Sequence, residues 1–139
     1  VERQGKKVFY NTFAAEADNK IAGWVVKTTG QGYADKIELL VGLDLSATTI
    51  TGLFILDQKE TPGLGNKVIT PKWRSQFYGK KTDAPLQVVK GGAQAPFDID
   101  AVTGATISSR SVTAIVNTAV NDLGKKLALK AASKQTGDN

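Results

Sequence analysis

The chain has 139 residues, 41% hydrophobic and 22% charged, with 18 Lys and Arg against 13 Asp and Glu for a formal net charge of +5. This is the size and balance of a single globular domain, expected to span residues 1–139, with one buried core. It contains no His, Cys or Met, which removes the usual ligands of zinc, copper, iron–sulfur clusters and haem and excludes serine–histidine and cysteine–histidine nucleophile pairs.

The positive charge is spread along the chain, with a modest concentration over residues 125–134. That is mild basicity, not the clustered stripe of a nucleic-acid binder. Alternation of strand-forming residues predicts strands over residues 6–13 and 21–28 around a turn at Ala17-Asp18-Asn19-Lys20, with a helix over residues 8–17 as the alternative. A glycine-flanked turn at Gly30-Gln31-Gly32-Tyr33 leads into a strand over residues 36–44. A short polar loop joins it to residues 50–57 as a hairpin. Tyr33 reads either as an edge aromatic of the core or as a ring available to a planar ligand.

The string Glu60-Thr61-Pro62-Gly63-Leu64-Gly65 is a loop rich in turn residues directly after a strand. Residues 71–78 are expected to form a short helix with Trp73 and Phe77 on one face. Two further strands, 86–90 and 97–102, flank a loop over residues 91–96. Val112, Ile115, Val116, Ala119, Leu123 and Leu127 then follow the spacing of one helical face, which predicts a helix over residues 109–131 lying along the sheet. A polar tail is expected from about residue 133. Strand pairs with few helices imply an α+β fold: a mostly antiparallel sheet with a long C-terminal helix packed on it.

Chemistry concentrates just before that helix, in Asp100-Ala101-Val102-Thr103-Gly104-Ala105-Thr106, followed by Ile107-Ser108-Ser109. A helix start presents unpaired backbone N–H groups and the positive end of the macrodipole, which favour an anion such as phosphate. Thr103, Thr106, Ser108 and Ser109 can cap the helix or donate to phosphate oxygens, and Gly104 and Ala105 let the backbone approach a ligand. On these residues alone, a plain helix-capping loop and a phosphate site both remain open.

The heptad Asp100–Thr106 resembles the D-x-x-(S/T)-G-A-T signature by which flavin transferases recognise proteins that carry FMN covalently. Together with Gly32-Tyr33, Leu40-Val41-Gly42-Leu43-Asp44 and the 60–65 string, it resembles the FMN-binding domain of the RnfG/NqrC family. These are the G subunit of the Rnf ion-translocating electron-transport complex and the C subunit of sodium-translocating NADH:quinone oxidoreductase. The 60–65 string favours the Rnf branch. The resemblance implies that Thr106 is esterified to the FMN phosphate, that Asp100 opens the transferase signature, and that Thr103, Gly104 and Ala105 line the phosphate and the start of the flavin tail. It also implies that Glu60, Thr61, Leu64 and Gly65 lie near the isoalloxazine ring, with Tyr33, Trp73 and Lys90 as weaker candidates.

Members of that family carry an N-terminal membrane helix and place the flavin domain on the outer, periplasmic face. This chain begins at Val1 and has no apolar run approaching the roughly 18 residues of a membrane span. It is therefore expected to be the soluble part of a membrane-anchored protein, with the anchor upstream of residue 1. The implied partners are the other subunits of an Rnf-type membrane complex and, during maturation, a flavin transferase; no nucleic acid is expected. Independent turnover of a metabolite is not expected either. Two rivals stand beside this reading: an FMN domain serving another flavin-dependent reductase, and a non-redox scaffold drawn to anionic surfaces by its charge.

Overall fold

The computed structural model describes residues 2–3, 5–7 and 10–136. β1 (Glu2–Arg3) and β2 (Lys6–Lys7) pair antiparallel at the N-terminal end. The main sheet is an antiparallel meander in the order β3 (Asn11–Ala17), β4 (Lys20–Gln31), β5 (Lys36–Asp44) and β6 (Ile50–Asp57). A 3₁₀ turn (Gly65–Ile69), the single-turn helix α1 (Pro71–Arg74) and a second 3₁₀ turn (Ser75–Phe77) follow. Then come β7 (Gln87–Val89) and β8 (Asp98–Asp100), which pair with one another, and the long helix α2 (Thr106–Thr136).

Local chemistry accounts for these elements. Asp18 and Asn19, with φ of 52° and 64°, form the two-residue turn between β3 and β4. Positive φ at both central positions gives a twist that matches the flanking strands, and Asp and Asn tolerate it. In β5 the alternation is clean: Ile37, Leu39, Val41 and Leu43 are all buried, while the residues between them are only partly so. One sheet face therefore meets the core. At the β5–β6 corner the Asp44 carboxylate accepts N–H bonds from Thr48 and Thr49 at 2.8 and 3.2 Å, which closes the loop.

The core lies between that sheet face and α2. All six residues of the predicted helical face are buried there, with Ala131 extending the stripe. Val68, Trp73 and Phe77 close one end, Trp73 and Phe77 meeting edge to face with centroids 5.2 Å apart.

Four sequence expectations shift. The first main-sheet strand begins at Asn11 and runs into the turn at Ala17, so the helical alternative is excluded over the described part; Val8 and Phe9 lie outside the described residues. The helix expected over residues 71–78 is one α turn that tightens into 3₁₀ geometry. The strands near 86–90 and 97–102 are shorter and run parallel, with Val88 opposite Ile99. Parallel strands usually need a longer crossover; here Asp98 folds the connection back by accepting from Gln94 N–H, Ala95 N–H and the Gln87 side-chain amide. Finally, α2 starts at Thr106, three residues before the expected start at 109, and reaches Thr136.

Candidate functional site

Residues 102–105 form a tight turn in which Ala105 N–H donates to Val102 C=O at 2.9 Å, with Gly104 at φ 79°. A turn of this kind requires positive φ at its third residue, which is why the glycine stands there. The turn delivers the chain directly into α2, whose first intrahelical bond runs from Ser109 N–H to Ala105 C=O at 3.1 Å. The buried Ser109 hydroxyl locks the junction, donating to Ala105 C=O and accepting from Val102 N–H, both at 2.9 Å.

Thr106 is thereby fixed as the first residue of the helix. Its side chain lines a cleft of about 580 Å³, a volume in the range of small-molecule and cofactor sites. Tyr33, Thr61, Leu64 and Gly65 line the same cleft. The two small-residue loops thus converge on one cleft although more than thirty residues separate them, and a Cβ added at Gly104 would stand 3.2 Å from Leu64 Cδ2.

The hydroxyls around the helix start divide by use. Ser108 donates to Glu60 Oε1 at 2.6 Å, Ser109 is spent on the turn, and Ser111 and Thr113 donate back to helical carbonyls. Among the described residues the Thr106 hydroxyl has no partner, so it stands free in the cleft. Thr61 of the 60–65 loop also lines the cleft. Thr103 is exposed on the turn and is not part of the lining.

Glu60 sits behind the cleft instead of in it. It is 4% exposed, and its carboxylate accepts from Tyr33 N–H at 2.8 Å, Ala34 N–H at 2.9 Å and the Ser108 hydroxyl. Burial opposes its ionisation, but the Ser108 bond and the backbone N–H groups of residues 33–35 outweigh it and hold the carboxyl below its ordinary range. One anion therefore pins the 32–35 turn, the 60–65 loop and the start of α2 together. Gly65 makes this possible, since a Cβ there would stand 2.5 Å from Ser108 Oγ and 2.8 Å from Glu60 Cβ.

Asp100 ends β8. Its backbone is clamped by Gln76, which accepts Asp100 N–H at 2.7 Å, and by Trp73, whose indole N–H donates to Asp100 C=O at 2.8 Å. Trp73 is accordingly a core residue and not part of the cleft. The Asp100 Oδ1 atom is buried without a hydrogen-bond partner among the described residues, and the side chain does not line the cleft.

Sequence reading overlooked Ile107 and Arg110, both in the lining, and gave Lys90 little weight. Tyr33, Leu64 and Ile107 leave 65%, 44% and 54% of their surfaces exposed about the mouth. Lys90 and Arg110 are its charged residues, and no carboxylate joins them in the lining. An apolar mouth, a cationic wall, a helix start and a free hydroxyl fit a ligand with a planar apolar part and a phosphate. Among the described residues no group of three or more carboxylates is placed to hold a metal ion, and no helix is long and apolar enough to cross a membrane.

Comparison with known proteins gives a family and a shared fold. The profile of a family described as "FMN-binding domain" matches residues 32–121. The chain is 37% identical over 110 residues to the G subunit of the Na(+)-translocating ferredoxin:NAD(+) oxidoreductase complex from Acetobacterium woodii, covering 78% of this chain and 52% of that protein. It is 41% identical over 119 residues to the G subunit of the proton-translocating ferredoxin:NAD(+) oxidoreductase complex from Clostridium ljungdahlii, covering 86% and 61%. The chain thus spans about half to three-fifths of these relatives' length. Among solved structures, Shewanella oneidensis NqrC superposes with a TM-score of 0.79 at 27% identity, over 88% of this chain and 60% of that one. The C subunit of Na(+)-translocating NADH-quinone reductase from Parabacteroides distasonis gives 0.75 at 27% identity, over 85% and 62%. The α+β fold, a mostly antiparallel sheet with a C-terminal helix, is the one these structures share.

Proposed function

Because the chain belongs to the FMN-binding domain family, we propose that it is the flavin-carrying domain of an Rnf-type ion-translocating oxidoreductase, with FMN held in the cleft and its phosphate esterified to Thr106. The observation that carries this reading is the placement of Thr106: first residue of α2, hydroxyl free, lining one cleft together with Thr61, Leu64 and Gly65 of the 60–65 loop. FMN, when bound, supplies one- or two-electron transfer, and the protein supplies binding, orientation and electrostatics.

Each part of the cleft has a role in that scheme. Leu64, Ile107 and Tyr33 give apolar surface for a ring, and the backbone at Gly65 allows close approach. The α2 N-terminus with Lys90 and Arg110 favours phosphate. Glu60 fixes the geometry from behind while its negative charge stays committed to Tyr33, Ala34 and Ser108.

In attachment, the Thr106 hydroxyl oxygen forms the new bond to phosphorus as the bond from phosphorus to the donor's leaving group breaks, and the hydroxyl proton passes to a base of the transferase. Asp100, partly exposed six residues ahead of the acceptor, is the acidic residue that the transferase would read. A covalent tether keeps the cofactor in place between turnovers. The domain then relays electrons between redox centres of neighbouring membrane subunits, anchored from upstream of residue 1 on the periplasmic face.

The two solved neighbours are C subunits of the NADH-quinone type, which makes that complex the second reading of the partner set. Co-expression with a flavin transferase, followed by denaturing gel electrophoresis, tests the proposal. Flavin fluorescence that stays with the polypeptide supports it, and a colourless chain counts against it.

A further inference from the structure

We propose that Arg110 is the counter-ion of the flavin phosphate and makes the cleft select phosphorylated over unphosphorylated flavin; this rests on the flavin reading above. Thr106 and Arg110 are four residues apart on α2, and both side chains line the cleft. Residues so spaced on a helix are surface neighbours, with Cβ atoms about 5–6 Å apart. A phosphate at the Thr106 hydroxyl therefore lies within reach of the Arg110 guanidinium, whose planar fork of donors suits two phosphate oxygens at once.

Arg74 shows what a structurally committed arginine looks like in this domain. Its Nε donates to Ile69 C=O at 2.9 Å, its Nη1 to Leu53 C=O at 2.6 Å, and its guanidinium lies over the Phe54 ring at 5.1 Å. Arg110, by contrast, is exposed and makes no hydrogen bond or ion pair among the described residues. Glu60, the carboxylate tied to the same helix turn, has both oxygens engaged elsewhere and does not line the cleft.

The first turn of α2 carries no acidic residue of its own to engage Arg110. Sequence reading found the hydroxyls of this turn but not its charge, since Arg110 falls outside the heptad signature.

The test titrates the flavin-free chain with FMN and with riboflavin, following flavin fluorescence, in low and high salt. The wild-type chain is expected to bind FMN about tenfold more tightly than riboflavin at low salt, the worth of one charge-assisted contact, with the margin shrinking as salt rises. Arg110→Gln should bring the two flavins to within about twofold by weakening FMN alone, and Arg110→Lys should restore part of the preference. Arg110 is exposed, so both variants should fold, and thermal melting verifies it. An Arg110→Gln chain that keeps the full preference, or a wild-type chain with no preference, overturns the inference. Mass spectrometry of the transferase-treated wild-type chain reports separately on the parent reading: no adduct would remove the covalent flavin assignment, whatever the titration gives.

Discussion

Replacing Glu60 with Ala removes the acceptor for three donors at once: Tyr33 N–H at 2.8 Å, Ala34 N–H at 2.9 Å and the Ser108 hydroxyl at 2.6 Å. Hydrogen bonds to a charged group contribute about 1.5–3 kcal/mol each. Their sum is an upper limit, because holding the buried carboxylate in its ionised form costs several kcal/mol that the variant recovers. The expected loss is about 3 kcal/mol, or roughly 10 °C in Tm for a domain of this size. Glu60→Gln keeps one acceptor but turns an amide N–H₂ towards a donor, so about half that loss is expected.

The pH dependence has a definite sign. The Glu60 carboxyl is held below its ordinary range in the folded chain, so its contribution is complete above the unfolded value, near 4.3, and disappears as pH falls through the lower folded value. Urea unfolding of wild type and Glu60→Gln between pH 7 and pH 3 should show a gap that is constant at neutral pH and closes in acid. A Glu60→Ala chain destabilised by less than about 1 kcal/mol, or a gap independent of pH, would refute the clasp.

Three other outcomes follow from the same geometry. Gly65→Ala forces a Cβ into Ser108 Oγ and Glu60 Cβ, and should cost about 1–3 kcal/mol by urea melt while disturbing the cleft wall. Thr103→Ala should lower the yield of covalent flavin, read from gel fluorescence, while leaving the adduct on Thr106, because Thr103 holds the Ser/Thr position of the signature but does not line the cleft. Asp100→Ala should reduce flavin transfer with unchanged cooperative melting, since the lost carboxylate oxygen has no internal bond to break.

Much of the fold was legible because one rule governed each part of it. The alternation of Ile37, Leu39, Val41 and Leu43 announced a half-buried strand, and the three-and-four spacing from Val112 to Leu127 announced the helix that covers it. The helix start was placed late because Ser109 looks like a cap, whereas its hydroxyl bonds back to Ala105 and the 102–105 turn does the capping. The parallel pairing of β7 with β8 depends on the way Asp98 folds the loop before it, a set of contacts that periodicity does not encode.

At the site, the two small-residue loops were visible in the sequence and do share a cleft. The role of Glu60 was not visible, because its partners lie 26, 27 and 48 residues away and only the tertiary fold brings them to it. A motif states which residues matter together; it does not state which of them faces the ligand and which faces the protein.

Peptide mapping after co-expression with a flavin transferase tests the central claim most directly. Thr106 is the residue of its turn that combines a free hydroxyl with a place in the cleft. The wild-type chain should therefore yield one FMN-bearing peptide with the adduct on Thr106, Thr106→Ser should keep some of it, and Thr106→Ala should yield none. An adduct on Thr103, Ser108 or Ser109, or full covalent loading of the Thr106→Ala chain, would contradict the account.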